Sequence, residues 1–149
     1  MTFHSIKPCP RRRADGRNVG RRWIDPDTDI ALDALLAINT PARSAGAVTP
    51  PHTDNSEKLF AGLLYFAEPG DEGGGDLILY RRDHPPSPSD TKWPSASSLT
   101  EVSRVPYAAN TLVLLLNSPW AVHGVSPRQP SPYPRRFVNF VAEAAHPLF

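Results

Sequence analysis

The chain has 149 residues, enough for one domain with a sizeable core and too few for two comfortable ones. Hydrophobic residues make up 40% and charged residues 21%, as in globular proteins, but 18 prolines argue against long helices beyond the first third. The formal net charge is only +1, and the single cysteine, Cys9, excludes an internal disulfide and gives no sign of a thiol centre or zinc ribbon.

The small net charge conceals a basic N-terminus. Residues 1–22 hold six arginines and Lys7 against Asp15, a net charge of +6, so the remainder carries −5. Such a segment could contact nucleic acid or an acidic surface. Because no aromatic residues are interleaved with the charges, a disordered arm is the simpler interpretation, and nucleic-acid binding is not expected. No apolar run predicts a membrane span or a secretion signal, which favours a reducing, cytoplasmic setting.

The segment that begins at Trp23 predicts one helix, ending near Asn39. Asp25 or Asp27 can cap its N-terminus. The apolar residues that follow have near-helical spacing and are Ile30, Leu32, Leu35, Leu36 and Ile38. Prolines and a glycine then break the pattern, and the rest of the chain has the signals of strands and turns.

Two strong strand signals follow, KLFAGLLYFAEP at 58–69 and GDLILYRR at 75–82. The glycine-rich GDEGGG between them predicts a tight connection or a bulge, so the two strands are expected to form an antiparallel pair. A phosphate-binding loop is the weaker interpretation, because Asp71, Glu72 and Asp76 would repel an anion.

Residues 83–99 form a polar, proline-rich loop that is too long for a plain hairpin. Trp93 within it is expected either to close over a pocket or to cover an edge of the sheet, and both interpretations stay open. His84, beside two prolines, is interpreted as a loop histidine rather than a ligand.

Four further extended segments complete the chain, and turn residues divide them. The run Thr111–Leu116 is apolar on both faces, which is typical of a strand buried at the centre of a sheet. Six or more short strands with no later helix predict a mainly β protein, either a sandwich or a jelly roll.

Candidate metal-ligating residues occur in two separate parts of the chain. His52 and Asp54 are two positions apart in PPHTDNS, so in an extended segment they share a face. A second histidine would complete a facial site of two histidines and one carboxylate, and His123, 71 residues later, is the candidate. Arg135 and Arg136 open the next strand, where a buried arginine would need a carboxylate partner such as a cosubstrate.

This order of HxD, distal histidine and arginine resembles that of the Fe(II)- and 2-oxoglutarate-dependent dioxygenases, particularly the prolyl 4-hydroxylase-like group. The likeness covers about residues 50–142, and the matching pieces are PHTDN, GLLYFAEP, GGGDLILYRR, NTLVLLLN, VHGVSP and RRFVNF. It implies a double-stranded β-helix, or jelly roll, within one domain of residues 23–149 that begins with the predicted helix.

The resemblance also implies roles for individual residues. His52, Asp54 and His123 would bind Fe(II), while Arg136 would pair with the distal carboxylate of 2-oxoglutarate and Tyr65 would donate a second hydrogen bond to it. The implied reaction hydroxylates a C–H bond of a peptidyl prolyl or small-molecule substrate and releases succinate and CO2, with ascorbate as an auxiliary cofactor.

Several alternatives stay open. Arg135 and Arg128 rival Arg136 as the cosubstrate anchor, although strand alternation, which places Arg136 with Val138 and Phe140, favours Arg136. The short N-terminal region indicates either a minimal member or a truncated, inactive one with an incomplete barrel. Outside the oxygenases, the chain would be a metal-binding jelly roll without that activity, or a structural β-domain.

Overall fold

The chain folds into two antiparallel β-sheets. The computed structural model describes residues 20–25, 30–46, 49–87 and 92–149. Within these ranges the strands are β1 (Gly20–Asp25), β2 (Ile30–Asn39), β3 (Lys58–Tyr65), β4 (Leu77–Arg82), β5 (Leu99–Val105), β6 (Leu112–Leu116), β7 (His123–Val125) and β8 (Arg135–Ala144), with one 3-10 turn at Ala96–Ser98. The five-stranded sheet has the order β1-β2-β8-β3-β6 and the three-stranded sheet the order β5-β4-β7. The predicted mainly β architecture is confirmed.

The predicted helix is wrong, because residues 30–39 form strand β2. All ten of its residues pair with β8, and its other edge pairs with β1. Exposed and half-buried residues alternate along it, which places Leu32, Leu36 and Ile38 on the outer face. A strand with apolar residues on both faces has a spacing of apolar residues that resembles the spacing in a helix. Here the pairing of β2 with β1 and β8 determines the conformation in spite of that spacing.

The expected antiparallel pairing of β3 with β4 is also wrong, since the two strands belong to different sheets. The segment Gly70–Gly75 crosses from one sheet to the other. Its backbone passes close to residues 127 and 128, and a Cβ on Gly74 would lie 2.7 Å from the carbonyl oxygen of Pro127. Gly74 and Gly75 also have φ values of +77° and +90°, which favour glycine.

Strand β6 is an edge strand and not the central strand that its apolar run predicts. It pairs only with β3 among the described strands, and Leu112, Leu114 and Leu116 are exposed, Leu116 at 74%. In the register, Leu112 is opposite Leu64, Leu64 is opposite Val138, and Val138 is opposite Leu36. The outer face of the larger sheet is therefore apolar from β2 to β6.

The basic arm predicted for residues 1–22 lies outside the described residues, except for Gly20–Arg22, which begin β1. The buried apolar side chains include Tyr65, Leu77, Val122 and Val141. No helix in the described part of the chain is long and apolar enough to span a membrane.

Candidate metal centre

His52 and His123 lie directly opposite each other in an antiparallel backbone pair. The amide of His52 donates to the carbonyl of His123 at 2.8 Å, and the amide of His123 donates to the carbonyl of His52 at 2.9 Å. Residues paired in this way project their side chains to the same side. The two imidazole centres are accordingly 4.5 Å apart.

Asp54 joins this pair because it lies two residues beyond His52 along an extended segment. One ligand atom from each of His52, Asp54 and His123 can be chosen so that all three atoms lie within 4.8 Å of one another. The structure thus brings together the three side chains that the sequence singles out. His84 is exposed on the loop after β4 and is not part of the cluster.

Each imidazole is oriented by a backbone carbonyl two residues earlier in its own segment. Nδ1 of His52 lies 3.0 Å from the oxygen of Pro50, and Nδ1 of His123 lies 3.0 Å from the oxygen of Ala121. Because a carbonyl oxygen only accepts, each Nδ1 carries the proton and each Nε2 keeps its lone pair for a metal ion. Burial lowers the pKa of His123, which favours the neutral form that binds metals.

The carboxylate of Asp54 has a cationic partner, Lys58. The ammonium nitrogen lies 2.7 Å from Oδ1, and both side chains are largely buried. This ion pair compensates the charge of Asp54 through Oδ1, and a carboxylate has a second oxygen that can accept or ligate. Lys58 belongs to no motif in the sequence, so its contact with Asp54 could not be predicted from the sequence alone.

Trp93 covers one face of His52, with ring centres 5.3 Å apart and planes 30° from parallel. The preceding residue is fixed by a backbone hydrogen bond, in which Thr53 donates to the carbonyl of Lys92 at 2.9 Å. Of the two roles considered for Trp93, covering the site agrees with this position better than covering a sheet edge. The described end of the 83–99 loop therefore lies against the HxD segment.

A second group of polar atoms is buried around Arg135, which is 2% exposed. Its guanidinium carbon lies 5.2, 5.0 and 4.6 Å from the ring centres of Tyr65, Tyr107 and Phe137. One nitrogen donates to the carbonyl of Gly75 at 3.2 Å. Nε of Arg135 and the hydroxyl of Tyr65 are buried without a hydrogen-bond partner among the described residues. A buried cation in this state favours an anionic ligand.

Burial determines the ionisation of these two groups. It lowers the pKa of Arg135, but the ordinary value is so high that the guanidinium stays charged near neutral pH. It raises the pKa of Tyr65, which keeps the phenol protonated. Arg135 and Tyr65 can therefore both donate to a carboxylate.

The other two arginines that the sequence offered as anchors have carboxylate partners. Arg136 forms an ion pair with Glu68. Arg128 forms a buried ion pair with Asp71 at 2.9 Å and donates to the carbonyl of Gly74. Both guanidinium charges are therefore compensated within the protein.

Arg136 shares a face with Val138, as the strand alternation predicts, but this face is not the one that carries Tyr65. Tyr65 is opposite Phe137 in the register of β3 with β8, so the face that carries Tyr65 also carries Arg135. Arg136 shares the opposite, outer face with Val138. Tyr107, which the sequence analysis missed, fixes this strand end, since its hydroxyl accepts from the amide of Arg136 at 2.8 Å and donates to its carbonyl.

No family model matches the chain, and no curated protein is similar enough to count as a relative. Solved structures with a similar fold include a prolyl 4-hydroxylase from Phytophthora capsici, with 22% identity and a TM-score of 0.46. A prolyl 4-hydroxylase from Pseudomonas putida has 15% identity and a TM-score of 0.41. The alignments cover 78% and 77% of this chain but only 33% and 52% of those chains, so the chain spans about a third to a half of their length.

Proposed function

We propose that this chain is an Fe(II)- and 2-oxoglutarate-dependent oxygenase with a double-stranded β-helix fold. The observation that carries the proposal is the convergence of His52, Asp54 and His123, whose ligand atoms lie within 4.8 Å of one another. Two histidines and one carboxylate are the ligand set of non-haem Fe(II) oxygenases. The free Nε2 atoms of the two imidazoles fit this role.

Arg135, rather than Arg136, is proposed as the anchor for the distal carboxylate of 2-oxoglutarate. It is the arginine among the three candidates that is buried without a carboxylate partner in the described structure. The hydroxyl of Tyr65, also unpaired, supplies a second donor. A metal site without a cosubstrate has no use for such a buried cation.

The residues of the chain have separable tasks in this proposal. Pro50 and Ala121 hold the two imidazoles through their carbonyls, and Arg135 with Tyr65 binds and orients the dicarboxylate. The rings of Tyr107 and Phe137 exclude water from the guanidinium. Fe(II) with 2-oxoglutarate, when bound, supplies the oxidative decarboxylation to succinate and CO2 that is coupled to hydroxylation of a substrate C–H bond, prolyl or other.

Succinate formation tests the proposal. Purified protein incubated with Fe(II), 2-oxoglutarate and ascorbate in air is expected to produce succinate, and His123→Ala is expected to abolish its formation. His84→Ala, which changes a histidine outside the cluster, is the matched control and should retain activity. Succinate production that is unchanged in His123→Ala would falsify the assignment.

The ion pair between Lys58 and Asp54 favours a second candidate, a β-domain in which Asp54 binds Lys58 and no metal. Calorimetric titration with Zn(II) separates the two. Binding that His52→Ala removes supports a metal centre, whereas no binding supports the structural role. Metal binding without succinate formation would indicate a metal-binding jelly roll of another kind.

A further inference from the structure

A pocket opens beside the candidate metal centre. Its volume is about 410 Å³, and it is lined by residues 53–57 together with Lys92 and Phe149. This volume lies within the range of small-molecule sites. Residues 53–57 include Asp54, so a molecule in the pocket lies against the segment that carries a proposed metal ligand.

Lys92 places a positive charge in the wall of this pocket, and no carboxylate of the described residues forms an ion pair with it. Its ammonium donates to the side-chain oxygen of Asn55 at 2.6 Å and lies 5.8 Å from the centre of the Trp93 ring. Both partners are neutral. Lys58, by contrast, has its charge compensated by Asp54. The hydrogen bond from Thr53 to the carbonyl of Lys92 also fixes the backbone that carries the ammonium.

Glu57 supplies the opposite charge. It is half-buried, it lines the same pocket, and no cation pairs with its carboxylate in the described part of the chain. Asp54, the other acidic residue of the lining, is already paired with Lys58. Among the described side chains of the lining, Lys92 and Glu57 thus offer opposite charges that have no ion-pair partner, which together favour a ligand that carries both charges.

We propose that this pocket binds a free α-amino acid as the substrate of the proposed oxygenase, with its carboxylate on Lys92 and its ammonium on Glu57. This inference rests on the proposed function for the reaction, but binding itself can be measured without turnover. Asn55 and Ser56 supply further polar groups in the lining. Asp54, which belongs both to the lining of the pocket and to the candidate metal centre, connects the two.

Binding is measured by NMR on the full chain, with and without Zn(II), from the indole signal of Trp93. Trp93→Phe assigns that signal among the three tryptophans. The twenty common L-amino acids are titrated first, and the tightest binder is then compared with its N-acetyl derivative and its carboxamide. We expect each derivative to bind about tenfold more weakly, the ratio that 1.4 kcal/mol gives.

Two substitutions test separately the contact of the carboxylate with Lys92 and the contact of the ammonium with Glu57. Lys92→Met is expected to abolish the difference between the acid and its carboxamide, and Glu57→Gln the difference between the amine and its N-acetyl form. Arg81→Met and Glu72→Gln, at exposed positions outside the pocket, are the charge-matched controls and should preserve both differences.

Two results would overturn the inference: no amino acid binds at about 10 mM, the weak end of affinities worth about 3 kcal/mol, or both derivatives bind as tightly as the parent. Amino-acid binding without succinate formation would preserve the binding site, but it would contradict both the proposed function and the role of the amino acid as a substrate. Succinate formation without amino-acid binding would contradict this inference and leave the proposed function standing. The two failures are therefore distinguishable.

Discussion

The guanidinium carbon of Arg135 lies 5.2 Å from the centre of the Tyr65 ring, and each side chain retains one buried polar atom that has no hydrogen-bond partner among the described residues. Buried polar groups are normally hydrogen-bonded, and leaving one unpaired costs about 1–3 kcal/mol. A protein that keeps two such atoms side by side gives up stability there. A bound dicarboxylate would pair both atoms.

Replacing Arg135 by methionine should therefore separate stability from binding. We expect the dissociation constant for 2-oxoglutarate to rise by about 100-fold, because charge-assisted hydrogen bonds are lost. The free energy of unfolding should stay the same or rise, because an apolar side chain replaces a buried, unpaired cation. Calorimetry on the Zn(II)-loaded protein measures the dissociation constant for 2-oxoglutarate, and urea denaturation measures the free energy of unfolding.

Arg136→Met is the control for this substitution, since Arg136 lies on the outer face and pairs with Glu68. It should leave 2-oxoglutarate binding unchanged. Loss of binding in Arg136→Met together with normal binding in Arg135→Met would show that the assignment of the two arginines is reversed.

Lys58 is expected to weaken metal binding, because its ammonium lies 2.7 Å from Oδ1 of Asp54 and repels a second cation there. Lys58→Met should tighten Zn(II) binding by about fivefold, corresponding to about 1 kcal/mol, the upper end of the energies measured for solvent-screened ion pairs. Lys58→Arg keeps the charge and should bind Zn(II) as the unchanged protein does. Weaker binding in Lys58→Met would mean instead that Lys58 is needed to orient the carboxylate.

The buried ion pair between Asp71 and Arg128 is expected to be a large contributor to stability. Asp71→Asn leaves the guanidinium of Arg128 buried without its charge partner, which should lower the free energy of unfolding by about 3–5 kcal/mol. Glu68→Gln removes a carboxylate from a half-exposed pair and should cost less than about 1 kcal/mol. Equal losses in urea denaturation would contradict the difference in burial.

The exposed leucines of β6 should drive concentration-dependent self-association, because an uncharged edge strand with an apolar face is prone to pair with other chains. Leu116→Lys places a charge there and is expected to shift sedimentation toward monomer. Its free energy of unfolding should change by less than about 0.5 kcal/mol, as is usual for exposed positions. The control is Leu77→Ala in the core, which should instead cost about 2–5 kcal/mol. A wild-type protein that stays monomeric at high concentration would argue against the prediction.

The side chains of the candidate site could be predicted from the sequence, because residue type and short spacing are enough to mark them. An HxD triplet, a distal histidine and an arginine pair can be recognised in the amino-acid sequence. The structure brings His52, Asp54 and His123 together. Which arginine faces inward is a different kind of question. It depends on the register of β8 against β3, where Tyr65 is opposite Phe137, and no local pattern specifies that register.

The errors in the fold have the same origin. The apolar residues of β2 serve two faces of a paired strand, so their spacing resembled that of a helix. The glycine-rich segment before β4 looked like a hairpin turn, but Gly74 is needed for close passage beside Pro127 on the way to the other sheet. In both cases residues distant in sequence determine the conformation.

Each of the two imidazoles has its Nδ1 atom held by a carbonyl within its own segment, at Pro50 and at Ala121. The aim of each ring is therefore encoded by a stretch of three residues. Loops outside these two stretches can be exchanged or redesigned to accept other molecules while the two carbonyl contacts that direct the Nε2 atoms are kept. Such modularity makes this small scaffold a suitable host for transplanted recognition loops.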